Sequence, residues 1–139
     1  MSDAVRKVDY FSIRVADKPG EAFRALQVLV SADINLLACS ARQVGRRARI
    51  DVVPEDARRF RLAVANAGLE FAAEKSGFLL QGEDRPGALA QNLHHLAKAG
   101  INVTSVDAMA AGKGRWGAIV WVAPKDVERA GKVFGAKMR

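Results

Sequence analysis

Two short segments of the sequence repeat each other, and each combines an acidic residue, a proline and a glycine at the start of a predicted helix. They are Asp17-Lys18-Pro19-Gly20 and Asp84-Arg85-Pro86-Gly87, and an asparagine follows each glycine by fifteen residues, at Asn35 and Asn102. A glycine before a helix lets the backbone approach a ligand, and the N–H groups of the first helical turn favour an anion such as a carboxylate. An aspartate can accept hydrogen bonds from an ammonium group, and an Asn amide can bond either group.

The 67-residue offset between these motifs continues along the chain, which indicates a duplicated unit. Apolar residues are repeated at the same offset: Phe11 and Phe78, Leu26 and Leu93, Leu29 and Leu96, Ile34 and Ile101. We therefore predict two domains, residues 1–73 and 74–139.

Each half reads as strand, helix, strand, strand, helix. Alternating apolar residues mark the first strand, and apolar stripes at helical spacing mark the first helices: Ala22, Leu26 and Leu29, and Leu89, Leu93 and Leu96. The second helices are predicted to open at Pro54 and Pro124, since proline suits a first helical turn. Leu69–Lys75 is a predicted fourth strand, whereas only residues 136–139 remain for the second copy, so that copy should have a truncated last strand.

The run from Asp84 to Leu89, followed by Asn102, resembles the ACT domain of amino-acid-binding regulatory proteins, and the first copy has the same spacing. The resemblance covers nearly the whole chain and is similar to small stand-alone proteins with two ACT domains. It implies an α+β protein of two tandem ferredoxin-like βαββαβ units, with antiparallel sheets and helices on one face. It also implies a free amino acid bound at an interface between ACT units. The ligand-binding residues carried over are Asp84, Arg85, Pro86, Gly87, Ala88, Leu89 and Asn102, with Asp17, Gly20 and Asn35 from the first copy.

The second copy is the favoured site, because Glu21 departs from the family pattern in the first. A glutamate in the first helical turn stabilises the helix but competes with a bound carboxylate. Ala88 occupies the equivalent position in the second copy.

Each candidate residue also has a purely structural interpretation. Asp17 and Asp84 could be helix N-caps, and the asparagines and glycines could serve only their turns. His94 and His95 are interpreted as surface or core-edge residues, and Cys39 as a small buried hydrophobe.

Composition excludes several classes of function. One cysteine and two adjacent histidines cannot form an internal disulfide or a zinc cluster, and no apolar run approaches the roughly 20 residues of a membrane span. We predict a cytoplasmic protein that needs no metal or cofactor and makes no membrane contact. The net charge of +7 is spread over both halves, which is typical of a soluble protein.

Nucleic-acid binding is the main competing interpretation, because RNA-recognition motifs share the βαββαβ order. Arg115 and Trp116 partly match their third-strand signature, but Trp116 and Trp121 are five apart and point to opposite faces, and aromatic residues make up only 6%. Nucleic acid is therefore disfavoured as a partner.

The resulting hypothesis is a non-catalytic sensor that forms a homodimer. A bound amino acid would change how the protein pairs with itself, with a metabolic enzyme or with a regulator. The alternatives are an RNA- or DNA-binding protein using Arg46, Arg47 and Arg49, or a structural subunit of an enzyme without its own ligand.

Overall fold

The computed structural model describes residues 3–72 and 75–137. The order of elements is the predicted repeat of strand, helix, strand, strand, helix, and it confirms the α+β fold class. The elements are β1 Ala4–Ala16, α1 Glu21–Ser31, β2 Leu36–Val44, β3 Arg47–Pro54, α2 Ala57–Asn66, β4 Lys75–Glu83, α3 Ala88–Lys98, β5 Val103–Gly112, β6 Arg115–Val122 and α4 Val127–Phe134.

The chain forms two compact units, and β1 contributes to both. The first is the continuous unit, Asp9–Lys75. The second is the split unit, which combines the chain up to Val8 with the chain from Ser76 onward. The predicted boundary between residues 73 and 74 lies outside the described residues. The prediction also assigned the start of the chain to the first domain, whereas the structure places residues 4–8 in the split unit.

Residues 4–8 serve as a strand of the split unit's sheet, and within the described residues the segment after α4 adds a single bridge to it, in agreement with the predicted truncated last strand. After α4, one isolated parallel bridge joins Arg6 to Lys137. Lys7 N–H donates to the Lys137 carbonyl at 2.9 Å, and Lys137 N–H donates to the Val5 carbonyl at 3.0 Å. The strand order in this unit is β1, β4, β6, β5. Val5 is buried in its core together with Phe78, Leu80, Leu96, Val120 and others.

In the continuous unit, β3 lies between β1 and β2 in an antiparallel sheet, with Phe11 opposite Val52. Phe71 pairs with Ile13 on the other side of β1, so the predicted fourth strand is present as a short bridge. Residues 73 and 74 of that predicted strand lie outside the described residues. The core lies between the sheet and the helices, where the rings of Phe11 and Phe60 are 4.5 Å apart.

The predicted start of α2 at Pro54 is wrong, because that proline is the buried last residue of β3. The helix begins at Ala57, and the Asp56 side chain caps it by accepting the Arg59 N–H at 3.1 Å. Aspartate is a better N-cap than the Pro54 and Glu55 that precede it, so the capping preference of Asp56 determines where α2 begins. In the split unit Pro124 does open a single 3-10 turn, after which α4 begins at Val127.

The buried stripes of α1 and α3 are rotated by about one position from the prediction. Ala25 and Leu29 are buried in α1 while Ala22 is exposed, and Asn92 and Leu96 are buried in α3. The remaining leucines of the predicted stripes are partly buried at the edges of the cores. Rotation of the helices therefore brings the polar Asn92 inside.

Cys39 is exposed in the chain as described, so its interpretation as a buried residue is wrong. It lies on β2, the outermost strand of the continuous unit's sheet, where no further strand covers it within that unit. Among the described helices, none is long and apolar enough to cross a membrane.

The structure predicts that removing residues 1–8 destabilises the split unit far more than removing residues 136–139. The first truncation deletes a sheet strand and the buried Val5, worth roughly 2 kcal/mol by itself. The second truncation deletes only the stub. Hydrogen exchange of the amides of β6 and α3 measures the difference, and equal protection in both variants would contradict the assignment of residues 4–8.

Candidate functional site

The turn before the first helix of each unit is held by a glycine in the left-handed conformation. Gly20 has φ of 89° and Gly87 has φ of 81°, and each is the N-cap residue of its helix. Residues with a side chain rarely adopt this conformation. The backbone alone therefore accounts for both glycines, whether or not a ligand binds.

The interpretation of Asp17 and Asp84 as N-caps is wrong, because neither α1 nor α3 has a capping hydrogen bond from a side chain. Both aspartates are exposed. Asp84 is instead anchored through its backbone, where its N–H donates to the Gly114 carbonyl at 2.8 Å. This bond ties the turn to the hairpin between β5 and β6 and leaves the carboxylate directed toward solvent.

An open cleft of about 470 Å³ lies beside this turn in the split unit. One wall is the turn and the first residues of α3, and the other is the middle of β5 with the Trp116 ring. The cleft brings together five residues that the sequence predicts as ligand-binding and five that it does not. The predicted ones are Asp84, Arg85, Gly87, Ala88 and Leu89; the others are Ala90, Ala108, Met109, Ala110 and Trp116.

Asn102 does not lie in this cleft, because it follows the far end of α3. That helix has eleven residues and is therefore about 16 Å long. Pro86 is exposed in the turn but does not line the cleft. A small ligand at Asp84 cannot reach the Asn102 of the same chain.

Asn35 in the continuous unit is engaged with its own neighbourhood. Its Nδ2 donates to the Glu55 carboxylate at 3.2 Å, and the Glu55 N–H donates to the Asn35 carbonyl at 2.9 Å. These bonds connect the starts of β2 and α2, which is a structural role. In the same unit Glu21 is paired with Arg24, one turn along α1.

Sequence reasoning missed Asp3, the residue with the densest set of polar contacts near the cleft. Its two carboxylate oxygens accept hydrogen bonds from Arg85 at 3.0 and 2.9 Å. Asn92 Nδ2 donates at 2.7 Å and Trp116 Nε1 at 3.1 Å. The Asp3 side chain is 3% exposed. Because 82 residues separate Asp3 from Arg85, no local motif could reveal the pair.

Arg85 is committed to this cluster, which changes its predicted role. Besides Asp3, its guanidinium donates to the Glu83 carbonyl and to Gln91 Oε1, both at 2.8 Å. A bidentate pair of this kind fixes the arginine in one orientation. Arg85 therefore shapes the turn that carries Asp84, and its guanidinium is held by the protein's own acceptors.

The same contacts set the charge of Asp3. Hydrogen bonding from Arg85, with further bonds from Asn92 and Trp116, lowers the pKa of Asp3 from 3.8 to about 2 against the opposing effect of burial. The bond to Asp3 also raises the pKa of Arg85. The pair stays ionised at neutral pH.

A second cavity, of about 380 Å³, lies on the other side of Arg85. Asp3, Gln91 and Asn92 line it with the exposed His95 and with Phe134. His94 is exposed as well, in agreement with its interpretation as a surface residue. Within residues 3–72 and 75–137, no group of three His, Cys, Asp or Glu side chains is placed to hold a metal ion.

Solved structures with the same architecture were found at low sequence identity. A Bacteroides thetaiotaomicron protein matches with a TM-score of 0.80 and 19% identity, over 96% of this chain and 88% of that one. The regulatory subunit of aspartate kinase from Thermus thermophilus, in its ligand-free form, matches with a TM-score of 0.67 and 17% identity, over 97% and 95%. The protein has the fold of a tandem ACT-domain protein.

A structure of aspartokinase alpha and beta subunits matches this chain with a TM-score of 0.62 and 18% identity, over 96% of this chain and 94% of that one. At these identities the likeness concerns the fold. No protein-family model matches the sequence, and no curated protein matches it.

The Asp3 cluster predicts a pH-dependent stability. A carboxylate whose pKa is lowered by folding stabilises the protein fully above its unfolded pKa of 3.8, and this contribution disappears as the pH falls toward 2. Asp3→Asn should therefore lower the free energy of unfolding by about 2 kcal/mol at pH 7 and flatten its decline between pH 4 and 2. Denaturant titrations across this range measure both effects. The exposed Asp107→Asn is the control, and an equal loss in that variant would refute the role of Asp3.

Proposed function

We propose that this protein is a non-catalytic sensor that binds a free amino acid in the cleft beside Asp84. The observation that carries the proposal is the composition of that cleft. An exposed carboxylate, an uncapped helix N-terminus and an apolar strand surface face the same space of about 470 Å³. These three features match the ammonium, the carboxylate and the side chain of an amino acid.

The turn offers distinct positions for the two charged groups of such a ligand. The Ala88 N–H turns back to the Arg85 carbonyl at 3.3 Å, and the following N–H groups of Leu89 and Ala90 lie in the first turn of α3. These groups carry the positive end of the helix dipole and suit an α-carboxylate. The Asp84 carboxylate suits an α-ammonium.

The wall opposite the turn would select the ligand side chain. Ala108 and Ala110 pair with the core residues Ala118 and Trp116, so their small side chains lie on the helix side of the sheet and leave space, and the buried Trp116 also lines the cleft. Met109 pairs with Gly117, so its side chain lies on the other face of the sheet. We therefore expect aliphatic or sulfur-containing amino acids to bind better than acidic ones, which the Asp84 carboxylate repels.

The split unit is the favoured site for two reasons. Its first helical position is Ala88, whereas the continuous unit has Glu21 there. The Glu21 carboxylate would repel the carboxylate of a ligand. Its pairing with Arg24 reduces this repulsion, but the pair also occupies the start of α1. Asp84 is moreover positioned by its bond to Gly114, within a turn that Arg85 and Asp3 hold.

A homodimer would allow Asn102 to take part. It lies at the opposite end of α3 from Asp84, so one ligand can contact both residues only when two copies meet. β5 is the outer strand of the split unit's sheet, and its residues 107–112 are exposed. An open strand edge of this kind is a natural pairing surface. Amino-acid binding would then change how two copies pair, or how the protein pairs with an enzyme or regulator, as in a regulatory subunit.

Asp84 should determine ligand affinity without determining stability. A thermal-shift screen of the twenty amino acids identifies the ligand, and calorimetric titration then compares variants. We expect Asp84→Ala to weaken binding about tenfold or more, since it removes a charge-assisted bond, while stability changes little because Asp84 caps no helix. Glu128→Ala, which removes an exposed carboxylate on α4 of the same unit, is the matched control. Loss of binding in Asp17→Ala with normal binding in Asp84→Ala would identify the continuous unit as the site.

Mixing two defective variants tests whether the site is shared between copies. In a symmetric dimer of Asp84→Ala with Asn102→Ala, one site carries both changes and the other carries neither. An equimolar mixture should therefore recover about a quarter of the wild-type sites, half of the dimers being mixed with one intact site each. Titration of each variant alone and of the mixture measures the recovery. If the site lay within one chain, Asn102→Ala would bind normally by itself and mixing would recover no further sites.

A further inference from the structure

One face of the continuous unit's sheet carries an unusual row of positive charge. Arg14 of β1 lies directly opposite Arg49 of β3, and Arg42 of β2 lies directly opposite the same Arg49 from the other side. We call these three residues the arginine row. The alternate residues Ile13 and Ile50 pack into the core against α1 and α2, so the row lies on the face away from the helices.

Like charges directly opposite each other in a sheet destabilise it. Neighbouring strands are about 4.8 Å apart, so the row places three guanidinium groups across about 10 Å. Arg14 and Arg42 are exposed, and the Arg49 side chain is 31% exposed. Such an arrangement lowers stability unless an anion occupies it.

The other unit shows that the fold does not require these charges. The 67-residue repeat aligns Arg14 with Gln81 and Arg42 with Met109, and both of these pair with Gly117 in place of an arginine. The neutral row Gln81, Gly117 and Met109 therefore forms the same three-stranded arrangement. The arginine row is a feature of the continuous unit alone.

A buried carboxylate fixes the central arginine. Asp51, two residues along β3, accepts a hydrogen bond from Arg49 Nε at 2.9 Å and another from Ser12 Oγ at 2.5 Å. The Asp51 side chain is 2% exposed. The corresponding residues of the split unit are the apolar pair Leu79 and Ile119. Burying a charge at a position where the other unit has apolar residues lowers the stability of the fold. The Asp51 carboxylate contacts Arg49 at Nε, so the two Nη groups of the guanidinium extend beyond this contact.

A hollow of about 170 Å³ lies at this position, lined by Arg14, Arg47 and Arg49 with Val44 and Ala48. Arg47 is partly neutralised by Glu70 at 3.3 Å, with both side chains about half exposed. The hollow is large enough for one phosphate-sized anion. Its lining contains no aromatic side chain on which a nucleic-acid base could stack, so a single anionic group fits better than a polynucleotide.

We propose that Arg14, Arg47 and Arg49 bind the phosphate group of a small molecule. Guanidinium groups match phosphate oxygens bidentately, and three of them from adjacent strands can surround a dianion. Arg49 is held in place by Asp51, and Arg14 and Arg47 line the hollow beside it. Arg42 lies across Arg49 from the hollow and adds positive charge without lining it. This site is separate from the amino-acid cleft and belongs to the other unit.

Phosphate binding can be measured on the whole chain by calorimetry, with inorganic phosphate and glycerol 3-phosphate as probes at constant ionic strength. The repeat supplies the variants, because Arg14→Gln and Arg42→Met introduce the residues that the split unit already carries. We expect Arg14→Gln, which changes a residue that lines the hollow, to weaken phosphate binding about tenfold, the loss of one charge-assisted hydrogen bond. Arg42→Met, which removes a charge outside the lining, should weaken it by a smaller factor. Arg58→Gln, an exposed arginine on α2, makes the same change in net charge and should leave binding unchanged.

Thermal unfolding gives an independent readout, because the variants should be more stable than the wild type without phosphate but should gain less stability when phosphate is added. In chloride buffer without phosphate, Arg14→Gln and Arg42→Met should raise the melting temperature, because they remove like-charge repulsion. In saturating phosphate the same variants should gain less stability than the wild type. The proposed site would be wrong if Arg58→Gln weakened phosphate binding as much as Arg14→Gln does, or if the wild type showed no saturable binding of either probe. Tight binding of a single-stranded oligonucleotide without binding of either small probe would replace it with a nucleic-acid surface.

Discussion

The buried ion pair between Asp3 and Arg85 is the contact on which the split unit depends. It joins the first described residue of the chain to the turn that begins α3, and it recruits Asn92 from the helix and Trp116 from β6. Ionised groups are buried only when each is paired and hydrogen-bonded, and this condition fixes the positions of all four side chains. The orientation of the Asp84 turn follows from that arrangement.

The two units show how a duplicated fold can diverge in chemistry while it keeps its packing. Phe11 and Phe78, or Leu29 and Leu96, occupy matching core positions. The buried polar groups differ: the split unit buries the Asp3 carboxylate and Asn92 beside the turn that begins α3, whereas the continuous unit buries Asp51 beside the arginine row. Core residues are constrained by close packing on every side. The exposed arginines at the end of the continuous unit's sheet have no such constraint, and positions of this kind are where new binding surfaces can arise.

The sequence predicts the repeat, the order of elements and the turn at Gly87, because periodicity and left-handed glycines are local signals. It does not predict that residues 4–8 complete the second unit, or that Asp3 pairs with Arg85, because these contacts join distant parts of the chain. The start of α2 was misassigned from Pro54 because two local preferences competed and the cap at Asp56 prevailed. The sequence predicts Arg85 as a ligand-binding residue and does not reveal Asp3, because the two residues pair across 82 positions of the chain.

The passage of β1 through both units imposes an order on folding. All residues of the continuous unit are available once the chain has been synthesised to Lys75, whereas residues 4–8 find their remaining backbone partners only after β4 and Lys137 have been made. Contacts over such sequence separations form slowly, because a long loop must close first. Residues 4–8 are made well before Lys137, and yet they are among the last to be fixed. Until then, one end of a strand already folded into the continuous unit offers an unpaired backbone to chaperones and to neighbouring copies.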